Sequence, residues 1–526
     1  MKSEDRHLSR LATGGLLSVI GSGVSAVAGI ALVATVTNGV SRELAGTLFA
    51  TTSLWVIICA VTQLGTEVGL VRWLPTLLAT GRRAEIPRVL CIALGPVLLA
   101  SCVAAVALYL GAEVAAGYLV GDEQQADGAL MLRCLAAFIP VYALHHSLLA
   151  ATRGMGTMRT TVLVDLVGRS IAQPVAVLVI GLQGGAAALV LSWLAPFVVA
   201  AAATGFALRR QVIRALSGRV DLEPAEAPSL AGHSRGLGRD FWRFTGPRGV
   251  ATLSQAALRR SDIVLIAALL SPADAAVYTA ATRFMVLGQM AILAIQQTLG
   301  PQLSKLFAQQ DTRTAESVFR AATAWTMLLT WPLYLVCAAA APLILSLFGE
   351  GYDVEAGQRV MVILAGAMLI ATASGSVDTV LLMAGRSWLS LLDNLGALVL
   401  NVGLNLVLIR PVGIEGAAIS WAAAIAARNI VTVLQVRAML GLSSGGSAAR
   451  WVAVSAVACF GIPGLALRLA GASQPLLIGV EALVCAPAYL ALVWWRRDTL
   501  HLPLLGRTLL TRLGRSKHSR PKVATH

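Results

Sequence analysis

LVDLVGRSIAQPVAVLVIGLQGGAAALVLSW, residues 163–193, and LLDNLGALVLNVGLNLVLIRPVGIEGAAISW, residues 391–421, are two versions of one segment. Asp165 falls on Asp393. With a short insertion carrying Arg410 and Pro411, Gly181–Gly184 (GLQG) falls on Gly413–Gly416 (GIEG). Both copies then run through an alanine-rich stretch to Trp193 and Trp421. Upstream the match is looser but persists: SRELAGTLFATTSLWV from Ser41 lies over SPADAAVYTAATRFMV from Ser271. A repeat about 230 residues long is far larger than a solenoid unit and points to a duplicated half-molecule.

Composition fixes the solvent. Of 526 residues, 57% are hydrophobic and 13% charged, and the mean hydropathy is +0.76. A water-soluble chain could not hide that much apolar surface. Apolar runs of about 20 residues, enough to cross about 30 Å of hydrocarbon, recur throughout. The pattern predicts an all-α, polytopic membrane protein with fourteen transmembrane helices. Six lie near Leu11–Val36, Leu44–Val71, Val89–Leu110, Ala129–Thr152, Thr161–Ile180 and Ala186–Leu208. Six more lie near Phe244–Leu270, Ala275–Leu299, Ala321–Phe348, Gly357–Ala384, Leu389–Ile409 and Ile414–Leu440. An extra pair covers Ala449–Ala470 and Pro475–Trp495. The expected organisation is a six-helix lobe over 1–208, a cytoplasmic linker over 209–240, and a second pseudo-symmetric lobe over 241–440. The extra pair follows over 441–497, and a basic tail over 498–526.

Charge sets the expected orientation. Basic residues crowd alternate loops, as at Arg82, Arg83 and Arg88, then Arg153 and Arg159, then Lys305 and Arg313. The intervening loops hold Asp122, Glu123 and Asp127, or Glu350, Asp353 and Glu355. The positive-inside bias puts both termini in the cytoplasm of a multi-pass cell-membrane protein. The net charge of +15 is spread over these inner loops, where anionic lipid accounts for it and nucleic acid does not. The first apolar stretch is too long for a signal-peptide core and reads as retained. Leucines and basic residues interleave from Leu500 onward, a pattern that suits either an amphipathic helix on the inner leaflet or a disordered basic end.

Nothing here reads as an enzyme. There is no P-loop, dinucleotide fingerprint or HExxH, no cofactor motif, and no outer loop large enough for a glycan ligase or polymerase. The seven cysteines all fall in apolar spans, without a CxxC pair, and read as free thiols. His145 and His146 point about 100° apart on a helix and cannot share one metal ion from one face. The glycines of GGLLSVIGSGVSAVAG, from Gly14, suit close helix packing.

Charges inside the spans are costly unless paired or wet, and so mark candidate sites. Arg259, Arg260 and Asp262 lie on the seventh helix and Arg283 on the eighth. One arginine can pair with Asp262; the others are expected to face a wet cavity and hold an anionic ligand, since guanidinium forks suit phosphate oxygens. Asp165 and Arg169 are spaced to pair on one face of the fifth helix. Together with Glu67, Asp378, Asp393 and Arg428 they are candidate coupling or gating charges, and Glu481 stands isolated on the fourteenth helix.

The duplicated sixes, LFGEGYDVEAGQRVMVILA from Leu347 and MAGRSWLSLLDNLGALVLNVGLNLVLI from Met383 resemble the polysaccharide transporters. These are Wzx-type flippases of the MATE-like MOP superfamily, which also holds multidrug antiporters and the lipid II flippase MurJ. The resemblance implies two lobes rocking about a cationic cavity. It implies movement of undecaprenyl-diphosphate-linked oligosaccharide from inner to outer leaflet for surface polysaccharide such as lipopolysaccharide. Anionic lipids, and glycosyltransferases and a polymerase of the same route, are the partners it suggests. A cation-coupled small-molecule exporter on the same fold is the alternative, but it favours an acidic, aromatic-rich cavity. A lipid II flippase is expected to carry arginines along the first helix, and Leu11–Val36 has none.

Overall fold

The computed structural model describes residues 2–217, 236–471 and 474–497, and among them every regular element is a helix. In chain order the spans are α1 (Lys2–Gly39), α2 (Arg42–Thr62, resumed as Thr66–Ala79), α3 (Ile86–Leu110) and α4 (Gln125–Ala137 with Ile139–Gly154). Next come α5 (Thr161–Arg169 with Ser170–Val179), α6 (Gly185–Leu216), α7 (Leu237–Leu269) and α8 (Pro272–Ala281 with Phe284–Ala308). Then follow α9 (Thr312–Ala339), α10 (Glu355–Ala373 with Val377–Met383), α11 (Ser387–Val412) and α12 (Ile414–Leu440). The last two are α13 (Ser447–Leu469) and α14, whose segments run from Gln474 to Trp495.

Among the described residues eleven helices are long and apolar enough to cross a membrane, and the bent pairs of α4 and α8 raise this to 13. The fourteenth expected span, α7, is not among them. Its 33 residues suffice in length, but Arg259, Arg260 and Asp262 interrupt its apolar character. Apolar side chains face outward as lipid requires: on α3, Leu99, Val103 and Val106 are 69%, 62% and 59% exposed.

Several boundaries differ from the sequence reading. Helix α2 breaks at Leu64 and Gly65, both with positive φ. The break lets Gly65 meet the backbone of Gly249 on α7, where no side chain fits. Helices α4 and α8 each bend by 43°. The first part of α5 is a π-helix; Ser170 N–H reaches Asp165 O five residues back, and its Oγ adds a second bond at 3.2 Å. Helices α6 and α7 extend into the expected linker, to Leu216 and from Leu237. The rest of that linker, 218–235, and the basic tail, 498–526, lie outside the described residues.

The described residues form two compact units. The first draws on Met1–Met290, Pro342–Leu364 and Leu391–Arg428, the second on Ala291–Ala341, Ala365–Ser390 and Asn429–His526. In the first, α2 packs along α7 and the start of α8, and α1 packs on α5. Ser41 caps α2 by accepting from Leu44 N at 3.3 Å, and Ser271 caps α8 by accepting from Asp274 N at 3.1 Å. These serines are the first residues of the looser repeat. In the second unit, α9, α13 and α14 share a core around Met327, Phe460 and Tyr489. Glu481 is 2% exposed there, with neither carboxylate oxygen hydrogen-bonded. All seven cysteines are free thiols.

Candidate functional site: a cationic cavity in the first unit

The site begins with the break in α8. Thr282 and Arg283 separate its two segments; Arg283 N–H still reaches Ala280 O at 3.1 Å, but the helix changes direction there. The guanidinium borders a cavity of about 110 Å³ lined by α1, α2, α7 and α8, with Trp193 contributed by α6. Arg260 of α7 lines the same cavity, beside Thr52, Thr279 and Phe49. Arg283 also borders a second cavity of about 240 Å³, with Ser22, Ser25 and Leu166. Gly29 borders both, so one glycine of the α1 series opens space for the cavities. Gly21 instead packs where a side chain would meet Val162.

The two guanidiniums place like charges on one cavity. Among the described residues neither makes an ion pair, and Arg283 Nε is buried without a hydrogen-bond partner. The expected pairing of an arginine with Asp262 does not occur. Asp262 takes Tyr278 OH at 3.0 Å and Asn405 Nδ2 at 2.7 Å, and Asn401 and Ser261, uncharged side chains, extend the cluster. The helical wheel explains it: Asp262 turns toward α11, while Arg260, about 200° away, turns toward α1 and α2. Arg259 does not line the cavity; it is exposed, with Arg428 of α12 as its electrostatic neighbour. The structure thus brings together Arg260 and Arg283 of the three arginines.

The pairing of Asp165 with Arg169 is present, at 2.5 Å. It belongs to a longer chain that the sequence reading missed. His145 Nε2 meets the same oxygen of Asp165 at 3.2 Å. Arg169 NH1 donates to Gln173 Oε1 at 2.8 Å, and Gln173 Nε2 donates to Trp193 O at 3.1 Å. Glu67, in the resumed part of α2, meets His146 at 3.6 Å and Arg153 at 3.4 Å. The two adjacent histidines serve different acids because they point in different directions. That 100° offset argued against a shared metal, and it equally signalled two separate carboxylate partners. Tyr142 packs against His146 with the rings tilted, centroids 4.2 Å apart, and meets Trp55 at 4.8 Å; Trp55 in turn meets Trp193 at 5.6 Å.

Asp378 of α10 accepts from Ser390 Oγ at 2.5 Å. Asp393 is buried near the start of α11. Neither lines the cavity described above. Among the described residues no group of three or more His, Cys, Asp or Glu can hold a metal ion.

Comparison with known proteins shows what a many-helix membrane bundle with this cationic cavity is similar to. Residues 97–356 match the family described as "Polysaccharide biosynthesis protein". A curated relative, the "Probable low-salt glycan biosynthesis flippase Agl15" of Haloferax volcanii, is 23% identical over 202 residues. That match spans 38% of this chain and 42% of the relative, less than half the relative's length. Among solved structures, "Lipid II flippase MurJ, inward closed conformation" has a TM-score of 0.68 at 12% identity, covering 92% of this chain and 99% of that one. An inward-facing multidrug resistance MATE transporter of the MOP superfamily has a TM-score of 0.65 at 15% identity, covering 80% and 95%. The fold is that of the MOP-superfamily transporters, and the resemblance to their polysaccharide branch, read from the sequence, is borne out.

Proposed function

We propose that this protein moves a polyprenyl-diphosphate-linked oligosaccharide from the inner to the outer leaflet of the cell membrane. The observation that carries the reading is the pair Arg260 and Arg283, side by side on one cavity without an acidic partner among the described residues. Two unpaired guanidiniums inside a bundle are costly, and a diphosphate offers the forked, charged acceptor they lack. The sugar then occupies the wet space while the lipid chain stays among the apolar helices. In this reading helices α1–α6 and α7–α12 act as the two lobes, 1–208 and 241–440, and alternating access exposes the arginines to each leaflet in turn. Both termini lie in the cytoplasm, as the loop charges indicate.

The test uses purified protein in liposomes with a fluorescent polyprenyl-diphosphate-linked oligosaccharide, reading leaflet exchange by quenching from outside. A charge-assisted hydrogen bond contributes about 1.5–3 kcal/mol, so Arg260→Gln or Arg283→Gln alone is expected to weaken binding roughly tenfold to hundredfold. The double variant is expected to abolish exchange at normal protein level. Exchange that survives both substitutions would overturn the diphosphate reading. A cation-coupled exporter predicts instead that exchange of the lipid-linked probe is absent in the wild type.

A further inference from the structure

The structure carries one more site, in the chain of polar groups behind the cavity wall. His145 is 0% exposed, and its Nδ1 is buried with no hydrogen-bond partner. Its Nε2 faces Asp165 Oδ1 at 3.2 Å. A carboxylate accepts, so the neutral imidazole carries its hydrogen on Nε2. Nδ1 is then a bare lone pair in a protein interior, the atom at which this ring takes a proton. Asp165 already accepts from Arg169 Nε with the same oxygen. An imidazolium at 145 therefore competes directly with Arg169 for Asp165. Arg169 holds Gln173, and Gln173 holds the backbone carbonyl of Trp193, a residue that lines the cavity with Arg260 and Arg283. Every link from His145 Nε2 to that wall is a contact of 3.2 Å or less.

We propose that His145 is a proton-binding residue whose occupancy is passed to the cationic cavity through Asp165, Arg169, Gln173 and Trp193. The proposal rests on reading that cavity as the binding site of a phosphate-bearing ligand. The charged and titratable groups that face this region from the helices packed around α4 are Asp165 and Arg169 of α5, and Glu67 and Cys59 of α2. On α4 itself they are Tyr142, His146 and Arg153. Glu67 is engaged by His146 and Arg153, so it does not neutralise His145. A proton on His145 strengthens its hold on Asp165 at the expense of Arg169, and Gln173 carries that change to Trp193 of the cavity wall. The added positive charge reaches the cavity by this route. The anionic ligand is expected to bind more tightly as pH falls, and the ligand to raise the proton affinity by the same factor.

The experiment uses the full chain in lipid nanodiscs with undecaprenyl diphosphate as the probe, between about pH 5 and 8. Affinity is measured for wild type, His145→Gln and Gln173→Leu. His145→Gln reports the phosphate's own titration, so the proposal is read from the difference between variants. Wild type is expected to gain about 5- to 100-fold over His145→Gln at the acid end, the ordinary size of coupling between sites. Gln173→Leu keeps His145 and Asp165 but cuts the relay, and is expected to follow the His145→Gln curve. In parallel, 15N signals of the histidine rings and of the Trp193 indole are followed without ligand. The proposal requires His145 to titrate in both wild type and Gln173→Leu, with Trp193 following only in wild type. A His145 ring that does not titrate overturns it, as does a Trp193 signal that follows pH equally in Gln173→Leu. If undecaprenyl diphosphate does not bind the wild type, the transport reading fails on its own, and the ring and indole signals still decide whether His145 binds the relayed proton.

Discussion

Arg259 and Arg260 are neighbours in sequence and differ in everything that matters. Arg260 turns into the cavity with Arg283, while Arg259 is exposed and has Arg428 as its electrostatic neighbour. Arg259→Gln is therefore expected to retain leaflet exchange under conditions where Arg260→Gln loses it, both measured in the same liposome assay. Equal loss in the two variants would mean that net positive charge, not the cavity, is being read. The sequence made the arginines conspicuous because any charge in an apolar span demands a reason. It could not show which of two adjacent residues faces inward, since that depends on the rotation of α7 about its axis. Nor could it reveal Asn401 and Asn405, neutral residues on an apolar helix, as the partners that take Asp262 away from the arginines.

Elements keep the imprint of the duplication in their caps and turns. Ser41 and Ser271 begin corresponding helices and make the same bond to a backbone N–H three residues on. The longer repeat is better aligned by backbone than by GLQG and GIEG. Gly185 and Gly413, both with positive φ, stand at the same distance from Leu163 and Leu391 and at the same distance from Trp193 and Trp421. The insertion carrying Arg410 and Pro411 is then unnecessary: the conformation that only glycine adopts freely marks equivalence more reliably than similar letters do. Close packing at this scale is also testable. A methyl group on Gly46 of α2 would run into the Pro272 carbonyl at the start of α8, while one on Gly366 of α10 would meet nothing. Gly46→Ala is expected to cost about 1–3 kcal/mol through overpacking, seen as a lower thermal midpoint in detergent, while Gly366→Ala, which adds only helix propensity, is expected to be no less stable than wild type. A Gly46→Ala protein as stable as wild type would show that α2 and α8 can separate freely.

At the scale of the whole molecule, hydropathy made the helical membrane class legible, because a bilayer leaves so few solutions to the backbone. What stayed hidden were the departures from straight helix: the π-helical start of α5, the break in α2 and the bends in α4 and α8. They arise from local contacts between distant segments, such as Gly65 against Gly249, which no periodicity records. Orientation rests on loop charge and has its own test. In a protein freed of its seven cysteines, single cysteines at the exposed positions Asp122 and Glu350 are expected to react with an impermeant maleimide from outside. One at Arg159, also exposed, is expected to react only after the membrane is opened. Labelling of Arg159→Cys in intact cells would reverse the assigned topology.

The bend of α8 has a mechanical corollary. Arg283 stands where the helix changes direction, so under the proposed transport the joint and the grip would be one residue. Any flexing of α8 re-aims a cationic hand, and any load on the hand is applied at the fulcrum rather than along a lever. Arg260, on an unbroken helix, can be exchanged without altering the joint. Divergence toward a different cargo is therefore expected to begin at position 260 and to spare 283, whose replacement changes charge and motion together.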